Sequence, residues 1–373
     1  MLERAERIVH GASRWVLDRV DPQWVDYVAS NTMTDINRRL NRFIWTYDLQ
    51  AQVVRVVDEA PGVKTFELRP NQLWRGMTPG QHVEVLLPVD GPDAQPLRRH
   101  YSATALPRGR FSITVKRLPE GRGSAWMHEH LRPGSLLRLN AAQGSFVHRD
   151  QSRVLYLCAG SGITPCHSMV DSLLACPAGE RPDLQVIAQF RHSGDVIFKD
   201  ALRRWARAGI KVDTALSGTP EAGHAPRLDA DQLKLLCPDI RQRDIYLCGP
   251  DGFMTQAMAH LQALGVDLTR VHTERFTVPD TVARPAAGFS VEGTEVVFKH
   301  LNRRITLTAA DQNKTLLQAG RDHGLDLEAG CCQGMCGTCK LTVHEGEVSG
   351  NTLGRAVYLC TAYPASRTVV LGG

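Results

Sequence analysis

The chain has 373 residues, 43% of them apolar, with 44 Lys and Arg against 39 Asp and Glu, for a formal net charge of +5. That length predicts two or three domains, and the apolar fraction is that of ordinary globular protein. The charge excess is small and its Arg–Arg pairs are scattered, which excludes a nucleic-acid stripe, and no apolar run approaches the roughly 18 residues of a membrane span.

The first 45 residues read as a helical arm. Leu2, Ala5, Ile8, Ala12, Trp15 and Val20 recur at helical spacing among Arg and Glu. Asp21 followed by Pro22 restarts a helix as N-cap and first helical residue. Such an arm packs on the body of the protein, or rests as an interfacial face on a membrane or a partner. Its charges run throughout, with no apolar core segment, so it does not read as a secretory signal. The expected location is cytoplasmic, at most peripheral on the inner face of the membrane. Ten cysteines in a reducing compartment point to metal or redox work rather than disulfides.

From residue 46 to 148 the character changes. Alternating runs such as AQVVRVV, KTFELRP, HVEVLLP and FSITVKR are separated by Pro and Gly turns, which predicts an antiparallel barrel. Residues 149–277 carry short apolar strands (RVLYLCAG, LQVIAQF, KVDTAL, DIYLCGP) with helix-like segments between them, which predicts a parallel sheet. Residues 278–288 are rich in breakers and read as a linker. Residues 289–373 form a small last domain that holds a cysteine cluster.

In that cluster Cys331, Cys336 and Cys339 form C-x4-C-x2-C, with Cys360 further on. Three thiolates on one tight loop and a distant fourth is the plant-type [2Fe–2S] spacing. Gly330, Gly334 and Gly337 let the backbone wrap closely and aim N–H groups at sulfur. Zinc is the rival, but structural zinc sites usually show two C-x2-C knuckles and this chain has one. Cys332 is out of register and is read as unligated. The 20 residues between Cys339 and Cys360 make a short gap, which implies a trimmed loop around His344–Ala356. Cys158 and Cys248 end predicted strands, and Cys166, Cys176 and Cys237 read as ordinary buried thiols.

Two further constellations suggest what feeds the cluster. Gly160-Ser161-Gly162 lies after a strand and before a helix, where a Gly-rich turn offers backbone N–H groups to a pyrophosphate. It continues as GxGxxP rather than GxGxxG, and a second strand ends in Cys248-Gly249-Pro250. Upstream, Arg99-His100-Tyr101-Ser102 combines a phosphate partner, a stacking ring and a hydroxyl for a ring nitrogen. Each residue alone reads as part of a barrel strand. With Ile113–Arg117, which includes Val115 and Lys116, and with Gly121–Ser124, they suggest a flavin site. Ser124 is expected to cap the following helix beneath the pyrophosphate.

Taken in order, R-x-Y-S, G-x-x-S, G-x-G-x-x-P, C-G-P-x-x-M and C-x4-C-x2-C…C resemble the ferredoxin–NADP reductase superfamily fused to a plant-type ferredoxin domain, over roughly residues 46–373. The resemblance implies a multidomain fold: an antiparallel β-barrel flavin domain (46–148), an α/β parallel-sheet pyridine-nucleotide domain (149–277) and a β-grasp [2Fe–2S] ferredoxin domain (289–373), behind the helical arm (1–45). It implies an NAD(P)H oxidoreductase in which FAD is held by Arg99, His100, Tyr101 and Ser102 with Val115 and Lys116, and its pyrophosphate by Gly123 and Ser124. Gly160, Gly162, Thr164 and Pro165 would line the nucleotide phosphates. Cys248, Gly249 and Pro250 would lie near the nicotinamide, with Glu274 and Phe276 of HTERF bordering its contact with flavin. Ser102, Cys248 and Glu274 would take the catalytic roles, and Cys331, Cys336, Cys339 and Cys360 would hold the metal.

Two subfamilies share this order. Reductases of Rieske-type oxygenases, the alternative reading, use FMN and NADH, whereas Ala141–Phe146 here (AAQGSF) is closer to the FAD members. The arm and Leu73–Val85 resemble the reductase partners of bacterial membrane acyl-CoA desaturases, which implies FAD, NADPH and a membrane-bound diiron desaturase or hydroxylase as partner. Arg191, at the end of the second nucleotide-domain strand, suits a 2′-phosphate and so favours NADPH over NADH. A redox-sensing cluster module with incidental turnover is the reading from another class, and the complete hydride-to-cluster motif set argues against it.

Overall fold

The computed structural model describes residues 48–92, 94–218, 228–276, 289–329, 334 and 337–372. The expected arm, the linker at 278–288 and the cysteines Cys331, Cys332 and Cys336 lie outside the described residues. The chain divides into two units at residue 142.

In the first unit, β1 (Gln50–Ala60), β2 (Val63–Pro70), β3 (His82–Leu87), β4 (Leu97–Leu106), β5 (Arg110–Lys116) and β6 (Leu136–Leu139) close into a barrel. The order is β1-β2-β5-β4-β3-β6. Every neighbouring pair is antiparallel. The period-2 pattern explains the closure. Phe66 and Leu68, Val83, Val85 and Leu87, and Phe111, Ile113 and Val115 all turn inward and fill one core. A single helix, α1 (Arg122–His130), joins β5 to β6, and its Met127 enters the same core.

The second unit holds two sheets. In the first, β7 (Arg153–Ala159), α2 (Ile163–Leu174), β8 (Asp183–Phe190), α3 (Lys199–Arg207), β9 (Lys211–Leu216), α4 (Ala230–Leu236), β10 (Asp244–Cys248), α5 (Asp251–Ala263) and β11 (Val271–Glu274) make a parallel sheet of order β11-β10-β7-β8-β9. The near-continuous apolar runs of β7, β8 and β10 are the mark of strands covered on both faces. The chain leaves β7 toward β8 and β9, then returns to its other side with β10 and β11. The switch point therefore lies between β7 and β10, where such sheets bind ligands.

In the second sheet, β12 (Glu295–Phe298), β13 (Arg303–Thr306), α6 (Leu316–Asp322), β14 (Lys340–Glu345), β15 (Val348–Leu353), β16 (Ala356–Pro364) and β17 (Thr368–Gly372) form the order β13-β12-β17-β14-β16-β15. Only β12 and β17 run parallel. The helix α6 lies across β16, which gives the expected β-grasp form. Its start is a capping box: Thr315 Oγ1 accepts from Gln318 N at 3.2 Å, and Gln318 Oε1 accepts from Thr315 N at 3.0 Å. Phe298, Leu316, Tyr358, Leu359 and Leu371 fill the core beneath it.

Two local expectations are corrected. Cys176 is exposed, at the frayed end of α2, and is not a buried thiol. β11 carries the segment read only as the HTERF motif, because four residues at a sheet edge need no apolar run to pair.

Candidate cofactor sites

On β4, Arg99 and Tyr101 stand opposite Val85 and Val83 of β3. The start of α1 comes to meet them: a Cβ on Gly123 would lie 3.1 Å from Arg99 Cγ and 3.2 Å from Leu87 Cδ1. The stem of Arg99 thus lies against the helix start, while its Nη1 donates to Arg98 O at 2.7 Å; a cation beside a helix N-terminus suits a pyrophosphate. Burial pushes the Tyr101 hydroxyl up to about 12, with Arg99 pulling the other way, so its ring is a neutral stacking surface.

Ser124 departs from expectation. Gly121 is the N-cap, and Ser124 sits inside the first turn. Its Oγ donates to Gly121 O at 3.0 Å and accepts from Leu118 N at 3.1 Å, which ties the loop into the helix. Val115 is a core residue of the barrel, and its carbonyl accepts from His128 Nε2 at 2.9 Å. Its side chain is therefore spent on packing. Lys116 is exposed at the strand end.

Ser102 is the informative residue of this strand. It is 4% exposed, and its Oγ meets no hydrogen-bond partner among the described residues. A buried hydroxyl without a partner is costly, and it fits a ligand atom that would complete it, as a flavin ring nitrogen would. His82 is its cross-strand neighbour, and His100 faces Glu84 with Nε2–Oε1 at 3.6 Å. Asn140 donates to that carboxylate. Sequence reasoning did not reach His82, although its place opposite Ser102 follows from the β3–β4 register.

At the switch point the glycines earn their identity. Gly160 has φ of +53°, where a side chain is strained. Gly162 lies so close to the Cys248 carbonyl that a Cβ there would overlap it, and one on Gly249 would fall 2.7 Å from Phe253 Cδ1. Thr164 Oγ1 donates to Ser161 O at 2.9 Å and braces the loop. Pro165 sits in the first turn of α2, where no intrahelical N–H is lost. Pro250 is the N-cap of α5. Two strand ends, two glycine turns and two helix starts therefore meet around one crevice.

Cys248 is in register with Cys158 on one side and Glu274 on the other. Burial pushes its thiol well up, with Glu274 and Cys158 adding to the shift, so it remains protonated. Glu274 is buried and Phe276 half-buried. Beyond β8, Arg191 is exposed, while Asp195 is engaged: its carboxylate accepts from His192 N at 3.1 Å within a capping box.

Of the expected metal ligands, Cys339 and Cys360 are buried together in the β-grasp domain. Gly334 N–H donates to Cys360 Sγ at 3.1 Å, the contact by which a loop orients and tunes a sulfur ligand. The donor set is thiolate with backbone N–H, which suits an iron–sulfur cluster. Beside Cys339, Lys340 Nζ donates to Thr273 O at 2.9 Å. Burial pushes this lysine down to about 8, against the attraction of Glu274.

Comparison with known proteins agrees with this arrangement. Residues 51–148 match the oxidoreductase FAD-binding domain, 156–259 the oxidoreductase NAD-binding domain, and 299–365 the 2Fe-2S iron-sulfur cluster binding domain. The glycine betaine monooxygenase reductase subunit of Pseudomonas aeruginosa is 32% identical over 316 residues, 79% of this chain and 85% of that protein. The NADPH oxidoreductase of Mycobacterium tuberculosis is 31% identical over 309 residues, 81% and 77% of the two chains. The solved structure of phthalate dioxygenase reductase aligns with a TM-score of 0.55 at 23% identity, covering 88% of this chain and 98% of that one, which shows a shared fold. The chain belongs to the ferredoxin-reductase-type oxidoreductases that join FAD-binding, NAD-binding and [2Fe–2S] domains, and its cofactors are FAD, NAD(P)H and a [2Fe–2S] cluster.

Proposed function

We propose that this reductase passes electrons from NADPH through FAD and the cluster to an oxygen-activating partner protein. The observation that carries this reading is the Lys340–Thr273 hydrogen bond. It joins the residue after Cys339 to the residue before Glu274, so Cys339 lies beside the strand end that carries Glu274. FAD, when bound, supplies the conversion of a two-electron hydride into the single electrons a [2Fe–2S] cluster accepts. The chain's own residues bind and orient. Arg99 and the start of α1 at Gly123 hold the flavin pyrophosphate, Tyr101 packs on the ring, and Ser102 offers its hydroxyl to the ring nitrogen. Gly160, Gly162, Thr164 and Pro165 shape the phosphate loop. Cys248, Gly249, Pro250, Glu274 and Phe276 border the reacting end and exclude water there. Cys331, Cys336, Cys339 and Cys360 hold the cluster.

Arg191 supports NADPH: it is an exposed cation at the tip of β8, and the carboxylate of Asp195 is bound up in its own turn. The name of the mycobacterial relative agrees. For the partner, relatives named as reductase components of monooxygenases support an oxygenase component. A membrane-bound desaturase or hydroxylase is the second reading, supported by the resemblance of Leu73–Val85. That reading seats the arm on the membrane surface, since among the described residues no helix is long and apolar enough to cross one.

The test mixes purified holoprotein with NADPH or NADH and, in separate reactions, a glycine betaine monooxygenase oxygenase component or desaturase-bearing membranes. Product with NADPH and the oxygenase component is the expected result. Product only with the membranes moves the partner to the second reading, and equal rates with NADH sink the NADPH assignment.

A further inference from the structure

The trimmed segment between Cys339 and Cys360 includes the hairpin β15–β16, whose tip packs on the nucleotide domain. Leu353 is 5% exposed, and the apolar cluster that buries it is that of the nucleotide domain, with Met254, Met258 and Leu261 of α5. The next residue, Gly354, has φ of +58°, and a Cβ there would overlap the Met258 methyl. Just before the tip, Thr352 O accepts from Arg275 at 3.2 Å. Arg275 also faces Asp251 at the start of α5, with Nε–Oδ1 at 3.7 Å. At the cluster end of the same edge, Lys340 holds Thr273 O, and Ser145 Oγ donates to Gly337 O at 3.4 Å.

We propose that the Leu353–Gly354 hairpin tip is a latch seating the ferredoxin domain on the nucleotide domain, and that Leu353, Gly354 and Arg275 are positioning residues for electron transfer into the cluster. The inference rests on the reductase reading above. Both the latch and the Lys340 contact lie on the nucleotide domain, so the seat holds the ferredoxin domain at the sheet that carries the nicotinamide site. The seat is an apolar plug flanked by donors to backbone carbonyls. The balanced step is one electron out of the reduced flavin, oxidised by one, and into the cluster, reduced by one, with NADPH as the source. Electron transfer slows steeply with distance, so a loosened seat shows first in that step.

The experiment uses full-length holoprotein as wild type, Leu353→Ser and the conservative Leu353→Met. Amide hydrogen exchange reads the seat directly, and rapid mixing with NADPH separates flavin reduction from cluster reduction. In Leu353→Ser, exchange is expected to rise both at 348–356 and on the facing helix at 251–263. Cluster reduction slows about tenfold or more, as a small misplacement of a reacting group does. Flavin reduction and the cluster's circular dichroism stay as in wild type, and Leu353→Met keeps both exchange and cluster reduction at wild-type levels. Unchanged exchange, or loosened exchange with unchanged cluster reduction, overturns the proposal. So does loss of flavin reduction or of the cluster spectrum, which would make Leu353 a general stability residue. A wild-type protein whose flavin is reduced while its cluster never is would instead sink the reductase reading, with the exchange result still reporting on the latch.

Discussion

Gly162 lies against the carbonyl of Cys248, closer than any side chain on Gly162 would allow. Neither strand end can retreat, because β7 and β10 are zipped in register from Val154–Asp244 to Cys158–Cys248. Gly162→Ala is therefore expected to spread the crevice. Affinity for NADPH should fall about tenfold or more, in line with small displacements at a binding centre, while bound FAD is retained. Difference spectra on titrating NADP+ measure the first, and flavin absorbance after gel filtration the second.

Tyr101 is expected to act through its ring, which stands on the barrel wall opposite Val83. Tyr101→Ala is expected to weaken FAD binding by about 1–2 kcal/mol, the range for a lost aromatic stack and its buried area. Tyr101→Phe should bind normally. Flavin content after desalting decides, and a fully loaded Ala variant with normal turnover would remove Tyr101 from the site.

Arg191→Glu is expected to invert the choice of nucleotide. A charge-assisted bond to a 2′-phosphate contributes about 1.5–3 kcal/mol, so kcat/KM for NADPH should fall tenfold to a hundredfold, by about 1.4 kcal/mol per decade, with NADH little affected. Steady-state kinetics with both nucleotides measure the ratio. An unchanged ratio would leave Arg191 a surface residue.

Cys360→Ser removes a sulfur that receives the Gly334 N–H. Loss of the cluster's visible spectrum and of electron delivery to an external acceptor is expected, with reduction of the flavin by NADPH preserved. Loss of both activities in a folded, flavin-replete variant would count against a cluster downstream of flavin.

Asp311 fixes the turn before α6. Burial alone would raise its pKa. Hydrogen bonds from His323 at 3.0 Å, Thr308 N at 2.8 Å, Thr308 Oγ1 at 2.9 Å and Lys314 at 3.1 Å outweigh it and hold the carboxyl well below the usual range. A carboxyl depressed in the folded state stabilises above its unfolded pKa of about 4, and that stability is lost as pH falls. Asp311→Asn should cost about 2 kcal/mol at neutral pH, and the gap to wild type should close progressively below about pH 4. Thermal unfolding across that range checks the sign.

The barrel and the parallel strands were legible because each rests on a local period: alternation in β2, β3 and β5, continuous apolar runs in β7, β8 and β10. The β-grasp domain was legible only through the family resemblance that its cysteine spacing carries. Glycine chemistry at Gly160 and Gly162 was legible because the turn demands it. What sequence left unread is tertiary. β11 has no apolar signature, since an edge position asks for none. Ser124 was misread as a cap because the helix begins one turn earlier than its hydroxyl suggests. Nothing near Leu353 announces that its partners are Met254 and Met258, roughly a hundred positions away. The same holds for Lys340 and Thr273, which meet only when two domains are already folded.

The barrel has a consequence for how the chain is made. β1 finds β2 across a tight turn, but its other edge is satisfied only by β6, the last strand of the domain. Such non-local pairing is slow, since loop-closure entropy is lost before the contact compensates for it. During synthesis the outer edge of Gln50–Gln52 must wait, unpaired, until Leu136–Arg138 has left the ribosome. An open strand edge is a template for another chain. The arrival of a four-residue strand is therefore a step at which crowding among nascent copies should favour misassembly.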